Sequence, residues 1–359
     1  MTVFATRMIA IRLPQPAKAS EPGKPTLSPA WKLAALGLLA LGLSGHAAKA
    51  DPAPTAGDLL SSFNVITDGS LSTTADIVGP VLVGGGISGN SGTLDEGGGQ
   101  PTTINNDLPT GAKTYGGINI YGSASGNGGN TVSGVTVNVA GSSSGFSNAT
   151  AVNTSYGFPY TMASAWSQLT TLSSSLAGMA TTSFGGHSSS LTPTQNTPTI
   201  NAYAATAGGV AVLNITGTNW NQLNSAGGQA QVALGNSSLL IINVNCSIGG
   251  CNGTGNTNYN GQSWASDVLW NFIGATSLNF GVEFAGSILA VDASVTNSAP
   301  IDGTLVASSF SGTGELHSDT INGGLLTLTN TPTKVPEPSS LALLAAGLLG
   351  FGLVRRRRA

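Results

Sequence analysis

Glu315, His317 and Asp319 alternate along the chain near its carboxyl end, and alternate residues of an extended strand share one face. Two carboxylates and an imidazole so placed could hold a cation; they could equally form a solvated edge that discourages sheet-to-sheet association. Paired acids for glycoside cleavage can be sought among Glu283, Asp292, Asp302 and Glu315, which lie in one compact stretch. Nothing in the sequence sets their separation or raises the pKa of one of them, as that chemistry requires. His187 sits in Gly185-Gly186-His187-Ser188-Ser189 with no carboxylate nearby, so it lacks the orienting acid of a nucleophilic triad. Asp95-Glu96 before a run of glycines and Asp68 before Gly69 read as turns, because the spacing of calcium loops is missing. Gly84, Gly85 and Gly86 are not followed by Gly-Lys-Ser/Thr and therefore make no phosphate loop. Trp220, Trp264, Trp270, Tyr203 and Tyr259 could stack on sugar rings. Among them Trp270, in Leu-Trp-Asn-Phe, suits a core, and Trp264 in its Asn- and Gly-rich surroundings is the best exposed candidate. No catalytic, cofactor-binding or metal-binding residue is assigned, and the chain is read as not an enzyme.

The elements that must carry these residues are short. β-branched runs recur between glycine and asparagine clusters at 77–83, 117–121, 131–139, 210–215, 239–244, 284–290 and 301–307, a strand-and-turn grammar. Three of them share the form apolar-x-Gly-x-apolar-apolar-small, beginning at Ile77, Phe284 and Ile301, and the last two are 17 residues apart. That separation suits one coil of a β-solenoid, in which each turn stacks on the one before and buries a common apolar column. The expected fold is mainly β, a right-handed β-solenoid-like body, with a β-sandwich as the alternative. One segment departs from this pattern. Between Thr161 and Ala180 the apolar residues Met162, Trp166, Leu169, Leu172, Leu176 and Met179 recur at helical spacing, with serines and threonines opposite. This predicts an amphipathic helix over about 161–180 that lies along the β body, entered at Pro159.

Composition sets the outer limits. The 359 residues include 51 glycines, and only 8% are charged, against about 25% in ordinary globular chains. Between Asp51 and Lys334 the only cations are Lys113 and Lys334, against ten aspartates and three glutamates. Nothing there neutralises phosphate, so nucleic acid is excluded as a partner. From Thr114 to Ser266 no residue carries a formal charge.

Both ends read as addresses. Arg7, Arg12, Lys18, Lys24 and Lys32 precede the apolar run Leu33–Leu43, which is followed by small residues at Ala48 and Ala50. A helix over that run would span only about 16 Å, too short to cross a membrane, so residues 1–50 read as a signal peptide that signal peptidase cleaves after Ala50. The start is Met1 or Met8. Export makes a Cys246–Cys251 disulfide the natural state of the only two cysteines. Closing so small a loop contributes about 2 kcal/mol or less. A reduced redox pair is the alternative, and a metal site would need ligands the sequence does not place nearby. At the other end Pro336-Glu337-Pro338 precedes an apolar stretch, Ser339–Val354, and the cations Arg355, Arg356, Arg357 and Arg358. A helix over 339–354 would measure about 24 Å, short of a hydrocarbon core but extended by arginine snorkelling, with the cations held on the cytoplasmic side.

These carboxyl-terminal residues resemble the PEP-CTERM sorting signal of Gram-negative bacteria. The resemblance implies recognition at 335–359 by an exosortase-type processing enzyme, a stage held in the inner membrane, and an exopolysaccharide-producing, biofilm-forming cell. The body, 51–334, resembles the choice-of-anchor A family over about 58–325. The residues that carry this are Phe63-Asn64-Val65, Ala75–Gly79 leading to Val83–Gly86, Ile241–Val244, Leu269–Phe272 with Ala275-Thr276, Gly286–Ala290, Ile301–Ala307 and Gly314–His317. Members of that family end in different anchoring signals, and it brings no catalytic residues to carry over. Val291-Asp292 stands where members commonly have a proline after the Ile-Leu-Ala run. The function expected is that of a structural or adhesive protein at the cell surface or in the extracellular matrix, with exopolysaccharide as candidate partner. A polysaccharide-active enzyme using Glu283, Asp302 or Glu315 is one alternative. An ice-binding-like solenoid is another, although no flat threonine ladder at coil spacing is visible in the sequence.

Overall fold

The corner of each coil explains the recurrent glycine. In the computed structural model, which describes residues 54–88, 92–95, 117–132, 134–252, 255–259, 263–319 and 321, Gly79, Gly286 and Gly303 all have positive φ, of 103°, 104° and 147°. At Gly286 and Gly303 a side chain is excluded twice over. A Cβ on Gly286 would lie 2.6 Å from the Trp270 indole nitrogen, and one on Gly303 would lie 2.7 Å from the backbone of Gly286 in the next coil. Here the chain turns from one face of the solenoid to another, so the three motifs mark three corners of neighbouring coils. Residues 1–50 and 335–359, with the expected cleavage site, membrane span and terminal cations, lie outside the described residues, as do Glu96 and Lys113.

From each corner the chain enters a parallel sheet whose strands stack coil on coil. Its order runs Ala151–Asn153, Thr136–Val139, Ile118–Ile120, Val81–Val83, Val65–Thr67, Leu305–Gly312, Ser287–Asn297, Val268–Ile273, Ser237–Asn245 and Gly209–Thr216. The stack is not in sequence order. The first coil is seated in the middle, where Val65, Ile66 and Thr67 pair with Leu305, Val306 and Ala307 of the last. The chain thus builds outward to Asn153, leaves for the opposite end, and builds back until its last coil meets its first.

A helix lies along the outer side of that sheet. We label Ala56–Ser62 α1, Met162–Ala177 α2 and Gly217–Ser225 α3. Thr161 caps α2 by accepting the Ser164 N–H, and Leu169, Leu172 and Leu176 are buried on one side. They pack on Ile66, Leu82, Ile241, Leu269, Leu289 and Val306, which point outward from the parallel sheet. The alternate residues Val65, Val81, Ile242, Trp270, Ile288 and Leu305 point inward and form the solenoid interior. A sheet buried on both sides must be apolar without interruption, which is why these strands read as continuous runs. Mainly β architecture, stacked parallel coils and an amphipathic helix alongside are all present, and the sandwich alternative is not adopted.

Asparagines interrupt the outer side of that sheet in a regulated way. Asn271 donates to Asn243 (2.9 Å), Asn243 donates to Asn214 (2.8 Å), and the Ser173 hydroxyl of α2 donates to Asn271 (2.7 Å). Asn271 and Asn243 also donate to the helix carbonyls of Ser173 and Leu176. The amide ladder therefore staples α2 to the strands while satisfying buried polar groups. Among the described residues no helix is long and apolar enough to cross a membrane.

Candidate functional site

Among the described residues, no helix lies over the second face of the solenoid. Its strands alternate: in Ser287–Asn297 the later residues Asp292, Ser294 and Thr296 are exposed while Ala293, Val295 and Asn297 are buried. In Ser277–Phe280, Ser277 and Asn279 are exposed between the buried Leu278 and Phe280. Register converts these alternations into rows. Asn279 stands beside Thr296, Thr296 beside Ser311, and Ser311 beside Ser72. Leu71 pairs with Ile87, which sets Ser88 next in line, and the positions of Ser125 and Ser144 follow. A second row, two residues away, contains Ser277, Ser294 and Ser309 and is continued by Ser123 and Ser142.

The rows form a polar lattice. Strand geometry places neighbours about 4.8 Å apart across the strands and the rows about 6.7 Å apart along them. Hydrogen bonds orient the side chains: Ser309 donates to Ser294 (3.0 Å), Thr296 donates to Asn279 (3.2 Å) and Ser142 donates to Ser123 (3.3 Å). Hydroxyls and amides offer both donors and acceptors at fixed intervals, without charge. Asp292 and Asp68 are exposed carboxylates at the margin of this face. Sequence reading misses the rows because the spacing between their members varies from coil to coil and because Ser311 meets Ser72 from the other end of the chain. The one local signal is the period-two alternation in Ser277-x-Asn279, Ser294-x-Thr296 and Ser309-x-Ser311.

The acid and imidazole candidates are arranged otherwise than their spacing suggests. His317 lies between Asp302, 2.6 Å from Nδ1, and Glu315, 2.9 Å from Nε2. Asp319 is not part of the cluster, because the neighbouring coil brings Asp302 into register with His317. Partial burial lowers the imidazole pKa, but hydrogen bonds to Glu315 and Asp302 and their charges outweigh it, so the pKa stands above its ordinary 6.5. Both ring nitrogens of His317 are engaged by carboxylates, and among the described residues no group of three or more His, Cys, Asp or Glu is arranged to hold a metal ion. Glu283 is half-buried, Asp292 lies on the open face, and Asp302 and Glu315 are both engaged by His317, so the four acids do not flank a common cleft. His187 lies in a small hairpin, Ser183–Phe184 with His187–Ser188, its ring stacked on Tyr203 at 5.4 Å.

The large aromatic residues are interior. Trp220, Trp270 and Tyr259 are fully buried and Trp264 is only 6% exposed, so Trp264 is not the exposed sugar platform expected of it. Trp220 meets Trp270 and Phe272 edge-on at 5.5 and 5.0 Å. The indoles donate to Asn252 and Ala285 carbonyls, and the Tyr259 hydroxyl donates to Asn224. Burial raises the Tyr259 pKa. These polar tips find partners inside, which lets the rings pack in the solenoid interior. Cys246 and Cys251 are joined in a disulfide at the rim of the open face.

Comparison with known proteins agrees with this picture at the level of family. Residues 56–318 match the family described as "Putative Ice-binding-like adhesive domain", and residues 334–358 match the PEP-CTERM protein-sorting motif. The sorting motif implies exosortase-type processing and an exported, cell-surface protein. The family matched over the body is this one rather than choice-of-anchor A specifically. No curated protein matches the sequence. Two solved structures are similar: an ice-binding protein from the Antarctic ascomycete Antarctomyces psychrotrophicus, 15% identical, and the DUF3494 domain of ice-binding protein 1 from Shewanella frigidimarina, 13% identical. Each comparison covers 74% of this chain, with 97% and 96% of the other chain, at a TM-score of 0.27. A score that low decides nothing further about this chain. With most of its length matched, the chain belongs to the ice-binding-like adhesive domain family.

Proposed function

We propose that this protein is a non-enzymatic adhesin that holds a neutral, hydroxylated polymer on the open face of its solenoid, with matrix exopolysaccharide as the partner. The observation that carries the reading is the pair of uncharged Ser, Thr and Asn rows aligned across stacked coils. Each contact is a weak hydrogen bond exchanged against water, but many in register add up through multivalency. The adhesive description of the family and the sorting motif support display outside the cytosol. In the same reading, signal peptidase removes residues 1–50, the body 51–334 is the working part, and segment 339–354 holds the chain in the inner membrane until processing. Membership of the choice-of-anchor A family, with its interchangeable end signals, belongs to this proposal too.

A second reading, ice as the ligand, is favoured by the regular spacing of the rows, which becomes visible only in three dimensions. One experiment separates the two. The exported chain is tested for retention on the host's purified exopolysaccharide and for partition into growing ice, with and without the face-blocking pair Thr296→Tyr and Ser311→Tyr. Retention on polymer that falls at least tenfold in the double variant, with unchanged unfolding, supports the adhesin. Partition into ice without retention on polymer supports the second reading. Polymer cleavage that disappears in Glu283→Gln, Asp302→Asn or Glu315→Gln would overturn both.

A further inference from the structure

The open face does not end on a plain edge where its rows reach Ser277 and Asn279. The loop closed by the Cys246–Cys251 disulfide lies beside it, and a depression of about 350 Å³ is lined there by Cys251, Asn252, Ser277, Leu278, Asn279, Ser294 and Thr296. This volume is within the range of small-molecule sites. From this geometry we infer a discrete sugar subsite, one that takes a terminal, uncharged pyranose of the polymer. The inference rests on the adhesin reading and adds to it a place where a chain end is received.

The lining sets the ligand class. Besides the apolar Leu278 and the Cys251 disulfide it contains hydroxyls and carboxamides, with no ionised group and no aromatic ring, so polar recognition is by exchange of hydrogen bonds with groups that both donate and accept, as sugar hydroxyls do. Thr296 and Asn279 are mutually hydrogen-bonded and Ser294 accepts from Ser309, which fixes one wall in advance. The Asn252 carboxamide and the Ser277 hydroxyl have no protein partner among the described residues and are available to a ligand. The Asn252 backbone is held in place from both sides, its N–H donating to Asn221 and its carbonyl accepting from the buried Trp220 indole. Asp292 lies two residues from Ser294 on the same exposed side of its strand, so a uronic acid would bring a carboxylate towards a carboxylate. The disulfide belongs to the wall itself, which ties the shape of the subsite to an oxidising compartment.

The test uses the full exported chain and two probes, methyl β-D-glucopyranoside and glucuronic acid, followed by saturation-transfer NMR, with polymer retention measured on the same samples. The expected result is a saturable signal from the neutral glycoside, at least tenfold weaker for glucuronic acid, lost in Ser277→Trp and reduced severalfold in Asn252→Ala. Thermal unfolding of both variants establishes that they fold, and Asn252→Ala serves alone if the tryptophan does not. No glycoside signal alongside intact polymer retention would overturn the subsite and leave the adhesin reading standing. A signal indifferent to both variants, or equal for glucuronic acid, would also overturn it. A glycoside signal without polymer retention would sustain the subsite and remove the adhesin reading.

Discussion

The strand Ser287–Asn297 passes through two environments. Over Ile288–Val291 it lies between the solenoid interior and α2 and is buried residue after residue. Beyond Val291 the helix no longer covers it, and Asp292, Ser294 and Thr296 stand in water while their neighbours remain in the core. Both stretches pair in parallel with neighbouring coils, on either side of a register shift between Ala290 and Ser294. What differs is the outer neighbour, so the covered sheet carries stability and the open sheet is free to carry recognition. A parallel sheet that is solvated on one side is unusual, since parallel sheets are ordinarily covered on both faces.

Substitutions matched across the two sheets should separate these roles. The largest effect is expected for Leu289→Ala, which empties space beneath α2 and should cost about 2–5 kcal/mol in denaturant unfolding, against no more than about 0.5 kcal/mol for Thr296→Ala. Equal costs would erase the distinction. Next comes Asn271→Ala, which leaves Asn243 and Ser173 without their buried partner and should destabilise by about 1–3 kcal/mol. A second ladder runs from Asn153 to Asn138 to Asn119, each amide donating to the next, and Asn153, exposed at its end, should tolerate alanine with little change. Cys251→Ser opens a short loop at the rim of the open face and should cost about 2 kcal/mol or less, measured against the parent under non-reducing conditions.

The smallest effect expected is pH-dependent and belongs to the third face. The folded pKa of His317 lies above its unfolded value near 6.5. Its ion pairs with Asp302 and Glu315 therefore contribute fully below that unfolded value and are lost as pH rises through the folded pKa. The side chain is 38% exposed, so solvent screening keeps the contribution small. The melting temperature of the parent should exceed that of His317→Gln at about pH 5.5 and converge with it at about pH 8.5. A constant difference would mean that His317 acts through packing and not through charge.

How far the fold was legible depended on the range of each signal. The helix could be read to within a turn because six apolar residues recur at its own period, and it runs Met162–Ala177 inside the 161–180 expected. The corner glycines were legible as a motif because a positive φ leaves a mark on a single residue. The strand expected over 131–139 falls on two strands, Ala124–Val132 and Thr136–Val139. The exposure of Trp264 was misjudged because Asn- and Gly-rich neighbours describe the local chain and not what packs over it. His317 was matched with Asp319 along its own segment when its partner was Asp302 of the neighbouring coil.

By itself the sequence determined the sorting motif at residues 334–358, the coil-sized repeat, the amphipathic helix and the absence of formal charge from Thr114 to Ser266. All of these are local or compositional, because strand alternation, helix period and corner conformation are set within a few residues. Only the tertiary structure decided that the first coil lies beside the last, pairing Val65 with Leu305. That closure joins Ser311 to Ser72 and makes one continuous face from two halves of the chain. Its register comes from burying a shared apolar column and from the helix that spans the junction, and neither contact leaves a periodic trace along the chain.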